Sequence, residues 1–158
     1  MADEIEIEVY AGPSSTGPVF EKLHARKVGE DTYELLSSPG LTLNLAMGDI
    51  VSIKNKEKPA EVLKRGGNFC IQIYSDYMPQ EYVAELDLEV RSELGGILDG
   101  RYMGNLSLTV PSKNGMEKIS RFFNKFSDKT GIQWYYANIY KNLENDDDET
   151  LLYWWLDS

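Results

Sequence analysis

The sequence predicts an α+β protein in two packed halves. Residues 1–65 read as a small β-barrel or curled sheet. Residues 66–158 read as a ferredoxin-like βαββαβ unit with an acidic loop and an added C-terminal strand. Three observations lead there. Short runs rich in β-branched and aromatic residues, punctuated by Gly, Pro and Ser, fill the first 65 positions. From residue 68 the hydrophobic period alternates between two and 3.6 residues. The blocks meet at LKRGGN (63–68), too short a link to tether independent bodies.

The first strand is announced by Ile5, Ile7 and Val9 alternating with Glu4, Glu6 and Glu8, the period of a half-buried strand. AGPSSTGP (11–18) is expected to be a loop by its Gly, Pro and Ser content. Strands are expected over 18–28, 31–37, 49–55 and 60–65, with a tight turn at Gly29-Glu30-Asp31. SSPG (37–40) and MGD (47–49) interrupt the series.

NFCIQIYS opens the second half as a strand with Phe69, Ile71 and Ile73 on one face and Cys70, Gln72 and Tyr74 on the other. A helix near 79–94 follows, with Pro79 in its first turn and Val83, Leu86, Val90 and Leu94 at helical spacing. Gly95-Gly96 ends it. ILDGRYM and LSLTVP form two strands joined at Gly104-Asn105. A second helix near 115–129 carries Met116, Ile119, Phe123 and Phe126 on its apolar face and stops at Gly131. IQWYYANIY is a further strand. The order over 68–140 is β-α-β-β-α-β, the split βαβ plan. In the last strand, TLLYWWLD, alternation sets Leu152, Trp154 and Leu156 on one face, and Leu151, Tyr153 and Trp155 on the other.

The run PVFEKLHARKVGEDTYELLSSPGLTLNLAMGDIVSIK is similar to the opening of bacterial proteins grouped as domain of unknown function family 4265. RGGN at 65–68 and LSLTVP at 106–111 resemble later landmarks of that family. The resemblance spans roughly residues 18–140. It implies the same two-part architecture and brings no catalytic residue, because the family carries no assigned activity. The acidic loop and the YWW segment lie beyond it.

Composition narrows the function. The net charge is −10, and the 17 residues after Lys141 hold six acids and no base. The other 141 residues carry 20 acids and 16 bases. Such a charge balance repels nucleic acid and anionic membranes and attracts basic proteins. No apolar run approaches the roughly 20 residues that span a bilayer. The acidic, alternating N-terminus MADEIEIEVY has no leader character. A single cysteine, Cys70, excludes an internal disulfide and a multi-thiolate metal site. A cytoplasmic protein without cofactor or metal is expected.

No catalytic set is apparent. His24, the sole histidine, has no nucleophile motif beside it and reads as a surface or strand-edge residue. Cys70 reads as a core residue, since a reactive thiol needs a basic or helix N-terminal setting. RGGN lacks phosphate-loop spacing and precedes a strand, so its glycines read as a bend. NDDDE (145–149) lacks the alternating acids and central Gly of a calcium loop. Tyr74 and Tyr135 are placed to stack bases on a ferredoxin-like sheet, but the RNP pattern is missing and the charge opposes RNA.

Two charged features remain. One helix carries Glu81, Glu85, Glu89 and Glu93 at four-residue spacing; the other carries Lys118, Arg121, Lys125 and Lys129. The plain expectation is that the two stripes face each other and relieve like-charge repulsion. The functional expectation is that the Glu stripe, the acids Asp146, Asp147, Asp148 and Glu149, and the rings of Tyr153 and Trp155 meet a basic protein. The leading expectation is therefore a non-enzymatic acidic binding protein, in concrete form an immunity protein neutralising a basic toxin domain. The alternative is a small-molecule-binding regulatory module with its ligand at the junction of the halves.

Overall fold

A computed structural model describes residues 4–102, 104–143, 145 and 147–157. Over these described residues it is an α+β molecule with two antiparallel sheets and two α-helices. The first sheet is a meander, β1 (Glu4–Ser14), β2 (Gly17–Gly29), β3 (Thr32–Leu35), β4 (Ile50–Ser52) and β5 (Glu61–Lys64), each strand paired with the next. Among the described residues β1 and β5 do not pair, so the sheet is open and the barrel alternative is not realised. Closure needs strands long enough to tilt and stagger, and β3, β4 and β5 have only three or four residues. Val9, Leu23, Ala25, Leu35, Leu45 and Val51 form this half's buried core.

AGPSSTGP differs from expectation. It is the far end of the β1–β2 hairpin, with Pro13 opposite Pro18 and a bulge between Tyr10 and Gly12. A two-stranded arm has outer edges where a missing proline N–H breaks no ladder. At its tip the Ser14 hydroxyl donates to the Gly17 carbonyl, 2.7 Å.

The second sheet has the order β7 (Ile97–Tyr102), β8 (Asn105–Pro111), β6 (Asn68–Tyr74), β9 (Gln133–Tyr136), antiparallel throughout. Helix α1 (Gln80–Leu94) joins β6 to β7, and α2 (Met116–Thr130) joins β8 to β9. Both helices end on a left-handed glycine, Gly95 and Gly131. Phe69, Ile71 and Ile73 of β6 and Leu106, Leu108 and Val110 of β8 bury their face against Val83, Leu86 and Val90 of α1 and Ile119 and Phe123 of α2. Truncating one such leucine to alanine costs about 2–5 kcal/mol.

The opposite face is covered by the loop 36–47 of the first half, and its side chains are polar because the cover is backbone. The Gln72 amide donates to the carbonyls of Pro39 and Thr42, both 3.0 Å. The buried Cys70 thiol donates to the Pro39 carbonyl. A directed chain runs beside them: Met47 N–H to the Ser38 hydroxyl, Ser38 to Thr109 at 2.6 Å, Thr109 to the Asp99 carboxyl at 2.5 Å. Each hydroxyl has one proton, so fixing the last donor fixes the direction of the rest.

The tail corrects another expectation. The described residues after Lys141 do not add a strand. Tyr140 and Leu151 make one isolated bridge, and Trp154–Asp157 is a single 3₁₀ turn. Tyr153, with φ +58°, reverses the chain. Trp154 and Trp155 then both pack on Phe69, with ring centroids at 5.1 and 5.5 Å. A regular strand would have sent one indole to solvent; the reversal half-buries both.

Candidate partner-binding surface

The acidic loop and the sheet enclose a cleft of about 420 Å³. It is lined by Tyr135 of β9, Tyr140 just beyond it and Leu43 from the covering loop, together with Asp148 and Glu149 of the acidic segment. The position of Tyr135 is fixed by its hydroxyl, which donates to Gln72 Oε1 at 2.5 Å. Gln72 is itself held by Pro39 and Thr42, so the ring is anchored through buried groups. Burial also raises the Tyr135 pKa above the ordinary phenol value, keeping the hydroxyl a donor.

The acidic segment is held by short-range capping. Asp148 Oδ1 accepts from the backbone and hydroxyl of Thr150, at 3.0 and 2.6 Å, and Oδ2 accepts from Asn142. These bonds hold its carboxyl below the usual carboxylate range. Asp147 donates its N–H to Asn145 Oδ1, leaving the carboxylates of Asp147 and Glu149 exposed. Tyrosine rings and carboxylates lining one cleft suit a cation, since the aromatic quadrupole and the full negative charges attract it together.

The residues singled out from the sequence fall in three places. Asp148 and Glu149 line the cleft and Asp147 is exposed beside them in sequence; Asp146 lies outside the described residues. Tyr153 is 55% exposed, and its ring lies 5.7 Å from that of Trp155. Trp155 is half-buried on Phe69 rather than free, so strand parity does not separate an inner from an outer indole. Glu85, Glu89 and Glu93 line one wall of a groove between the helices, on the opposite side of the sheet. Lys129 Nζ meets Glu85 Oε1 at 2.5 Å, so the stripes do face each other. Glu81 is exposed near the start of α1.

Sequence reading missed Tyr140 and Leu43 and weighed Tyr135 only for RNA. The signal was the closeness of Tyr135 and Tyr140 to NDDDE. It was obscured by assigning 132–140 entirely to a strand, whereas β9 stops at Tyr136.

The other chemical candidates lie elsewhere. His24 is exposed and lies 3.4 Å from Glu4. Burial, followed by the nearby Asp99, Glu21 and Asp49 carboxyls, pushes the Cys70 thiol well above its ordinary pKa. Asp49 is fully buried and accepts from the N–H groups of Ala46 and Gly66 and from Arg65. Its pKa is raised to about 6, because burial outweighs those bonds. RGGN thus serves as a lock: Arg65 also donates to the Asn44 carbonyl, and its guanidinium lies 5.6 Å from the Trp154 ring centroid. No group of three or more His, Cys, Asp or Glu suited to a metal occurs among the described residues, and no helix is long and apolar enough to cross a membrane.

Comparison with known proteins adds three findings. The sequence model of a family described as "Domain of unknown function (DUF4265)" matches residues 21–134. A curated N-(5'-phosphoribosyl)anthranilate isomerase of Acetivibrio thermocellus is 34% identical over 110 residues, 70% of this chain and 47% of that protein. The chain thus spans about half the length of the curated relative it matches. A solved structure, a hypothetical protein from Neisseria gonorrhoeae, superposes with a TM-score of 0.60 at 20% identity, covering 87% of this chain and 94% of that one. That likeness shows a shared fold.

Proposed function

The chain belongs to the DUF4265 family, and because that description assigns no activity we propose a function from the geometry: it is a non-catalytic protein that binds a basic protein partner. In its most concrete form it is an immunity protein that neutralises a basic toxin domain in the cytoplasm. The observation that carries the reading is the cleft that Tyr135 and Tyr140 line together with Asp148 and Glu149. A lysine or arginine of the partner enters it, its stem against the rings and its charge against the carboxylates. The net charge of −10 speeds encounter with such a partner. We read the second half as a ferredoxin-like unit, supported by its strand order and by helices that follow the two central strands.

The test is kinetic. A partner captured from the native host is purified, and its association is measured against the wild type and against Asp147→Asn/Glu149→Gln. That double variant leaves the Asp148 caps intact. It is expected to slow association and flatten the salt dependence.

One observation favours a second reading, a small-molecule regulatory module. A cavity of about 620 Å³ lies where the hairpin arm (Tyr10, Pro13), the loop residues Thr42 and Asn44, and Pro59 meet Leu143 of the tail. Ligand-induced thermal stabilisation in a metabolite screen distinguishes the two readings. An isomerase activity has weaker support. The carboxyls raised to about 6, Asp49 and Asp99, are held by hydrogen bonds at the junction and line none of the three clefts; Glu89, raised as well, lines the groove between the helices.

A further inference from the structure

The outer face of the helical layer carries a feature that partner binding at the cleft does not use. Helices α1 and α2 run antiparallel. Glu85 in the early part of α1 meets Lys129 in the last turn of α2, and Asn114, just before α2, donates to the Leu94 carbonyl at the end of α1. Between them is a groove of about 430 Å³, floored by half-buried Tyr82, Phe122 and Phe126. One wall is acidic and the other basic. Four residues advance about 6 Å along a helix. Moving forward on α1 and backward on α2 from the Glu85–Lys129 pair therefore sets Glu89 level with Lys125 and Glu93 level with Arg121.

The intramolecular pairing is incomplete. Among the described residues, Glu89, Glu93, Lys118 and Lys125 form no ion pair, and Arg121 pairs with Glu117 of its own helix. Partial burial, with the neighbouring Glu85 and Glu93, raises the Glu89 carboxyl. Leu88, three residues on from Glu85, is 69% exposed. A face with a half-covered aromatic floor, an exposed leucine and unpaired charges of both signs calls for a partner that is itself charged on both sides.

We propose that this face binds a second copy of the chain, about a two-fold axis running along the groove. Rotation about that axis exchanges left for right and keeps the height along the helices. The α1 of one copy then lies over the α2 of the other, antiparallel to it. Each Glu of one stripe comes to the basic residue at its own height in the facing copy. Both walls are satisfied at once, the condition a self-complementary two-fold interface must meet. A partner of single sign would satisfy only one wall.

The test uses the full chain alone, by sedimentation velocity at low and high salt, with two charge reversals. The wild type is expected to be dimeric in the micromolar range and to dissociate as salt rises. Glu89→Lys and Lys125→Glu, each alone, are expected to be monomeric, weakened by at least about tenfold in affinity. Mixing the two single variants is expected to restore dimers. In the mixed dimer the lysine introduced at position 89 of one chain faces the glutamate introduced at position 125 of the other. The unaltered Glu89 and Lys125 of the two chains face each other likewise. Within each chain the two positions still carry like charges, so rescue on mixing reports an intermolecular contact alone. Glu93→Lys with Arg121→Glu provides a second pair should either variant of the first lose its helical circular dichroism. A monomeric wild type, single variants that dimerise like wild type, or a mixture that stays monomeric overturns the proposal.

Discussion

Gly66 illustrates how little freedom single positions have. A Cβ built there lies 2.3 Å from the Gly48 carbonyl carbon and 2.5 Å from its Cα, both backbone atoms that no rotamer change can move. Gly48 itself has φ +90°. The MGD and RGGN turns are thus pressed together so that Asp49 can reach the Gly66 N–H. Gly66→Ala is expected to destabilise the protein by about 3 kcal/mol or more, read as a lower denaturant midpoint. Asp99 gives a pH prediction. Burial, which outweighs its bonds from Thr109 and the Ser38 backbone, raises its pKa from 3.8 to about 6. The folded state therefore binds the proton more tightly than the unfolded chain between those values. The contribution is fully present below pH 3.8 and is lost as pH rises through about 6. Denaturant midpoints across that window should fall less steeply with rising pH in Asp99→Asn than in wild type. Asp49 and Glu89, raised in the same direction, contribute to the slope that remains, and Glu85 and Asp148, lowered, oppose it.

At the scale of elements, regular periodicity was legible and tertiary override was not. Both helices lie within a residue of their expected bounds, because apolar spacing and a terminal glycine agree in each. The inward and outward faces of β6 were also legible from alternation. The hairpin arm was not, since Pro and Gly mark loops and paired arms alike. The tail was misread for a different reason. Its alternation is that of a strand, yet burial of two indoles on Phe69 outweighed continued pairing. Trp154 shows the strength of that contact, because its Nε1–H also donates to the Asn138 carbonyl at 2.8 Å. Asn138 in turn accepts from Cys70 N–H and donates to the Asn68 carbonyl. Trp154→Ala is expected to cost about 3–5 kcal/mol and to lower the thermal midpoint. Trp154→Phe, which keeps an aromatic ring against Phe69 and loses the donor, is expected to cost less. Equal losses in the two variants would contradict a fastening role shared between the ring and its hydrogen bond.

For the whole molecule, charge was the readable quantity and shape was not. The concentration of acids after Lys141 was visible in the sequence. That Asp148 and Glu149 would line one cleft with Tyr135 and Tyr140 was not, because the cleft needs the end of β9, the turn at Asp148 and the covering loop together. The polar inner face of the second sheet links the two halves and also fixes Tyr135, so the binding surface depends on the junction. Gln72→Leu is expected to release Tyr135 and weaken partner binding even where the fold survives. The central claim, that aromatic rings and acids act together on a basic partner, is tested most directly by association and dissociation rates measured against salt. Asp147→Asn/Glu149→Gln should slow association and flatten its salt dependence while leaving dissociation nearly unchanged. Tyr140→Ala should leave association nearly unchanged and speed dissociation, at a cost of about 1–2 kcal/mol in affinity. Wild-type rates and salt slope in both variants would contradict the claim and leave the acidic tail a solvated loop.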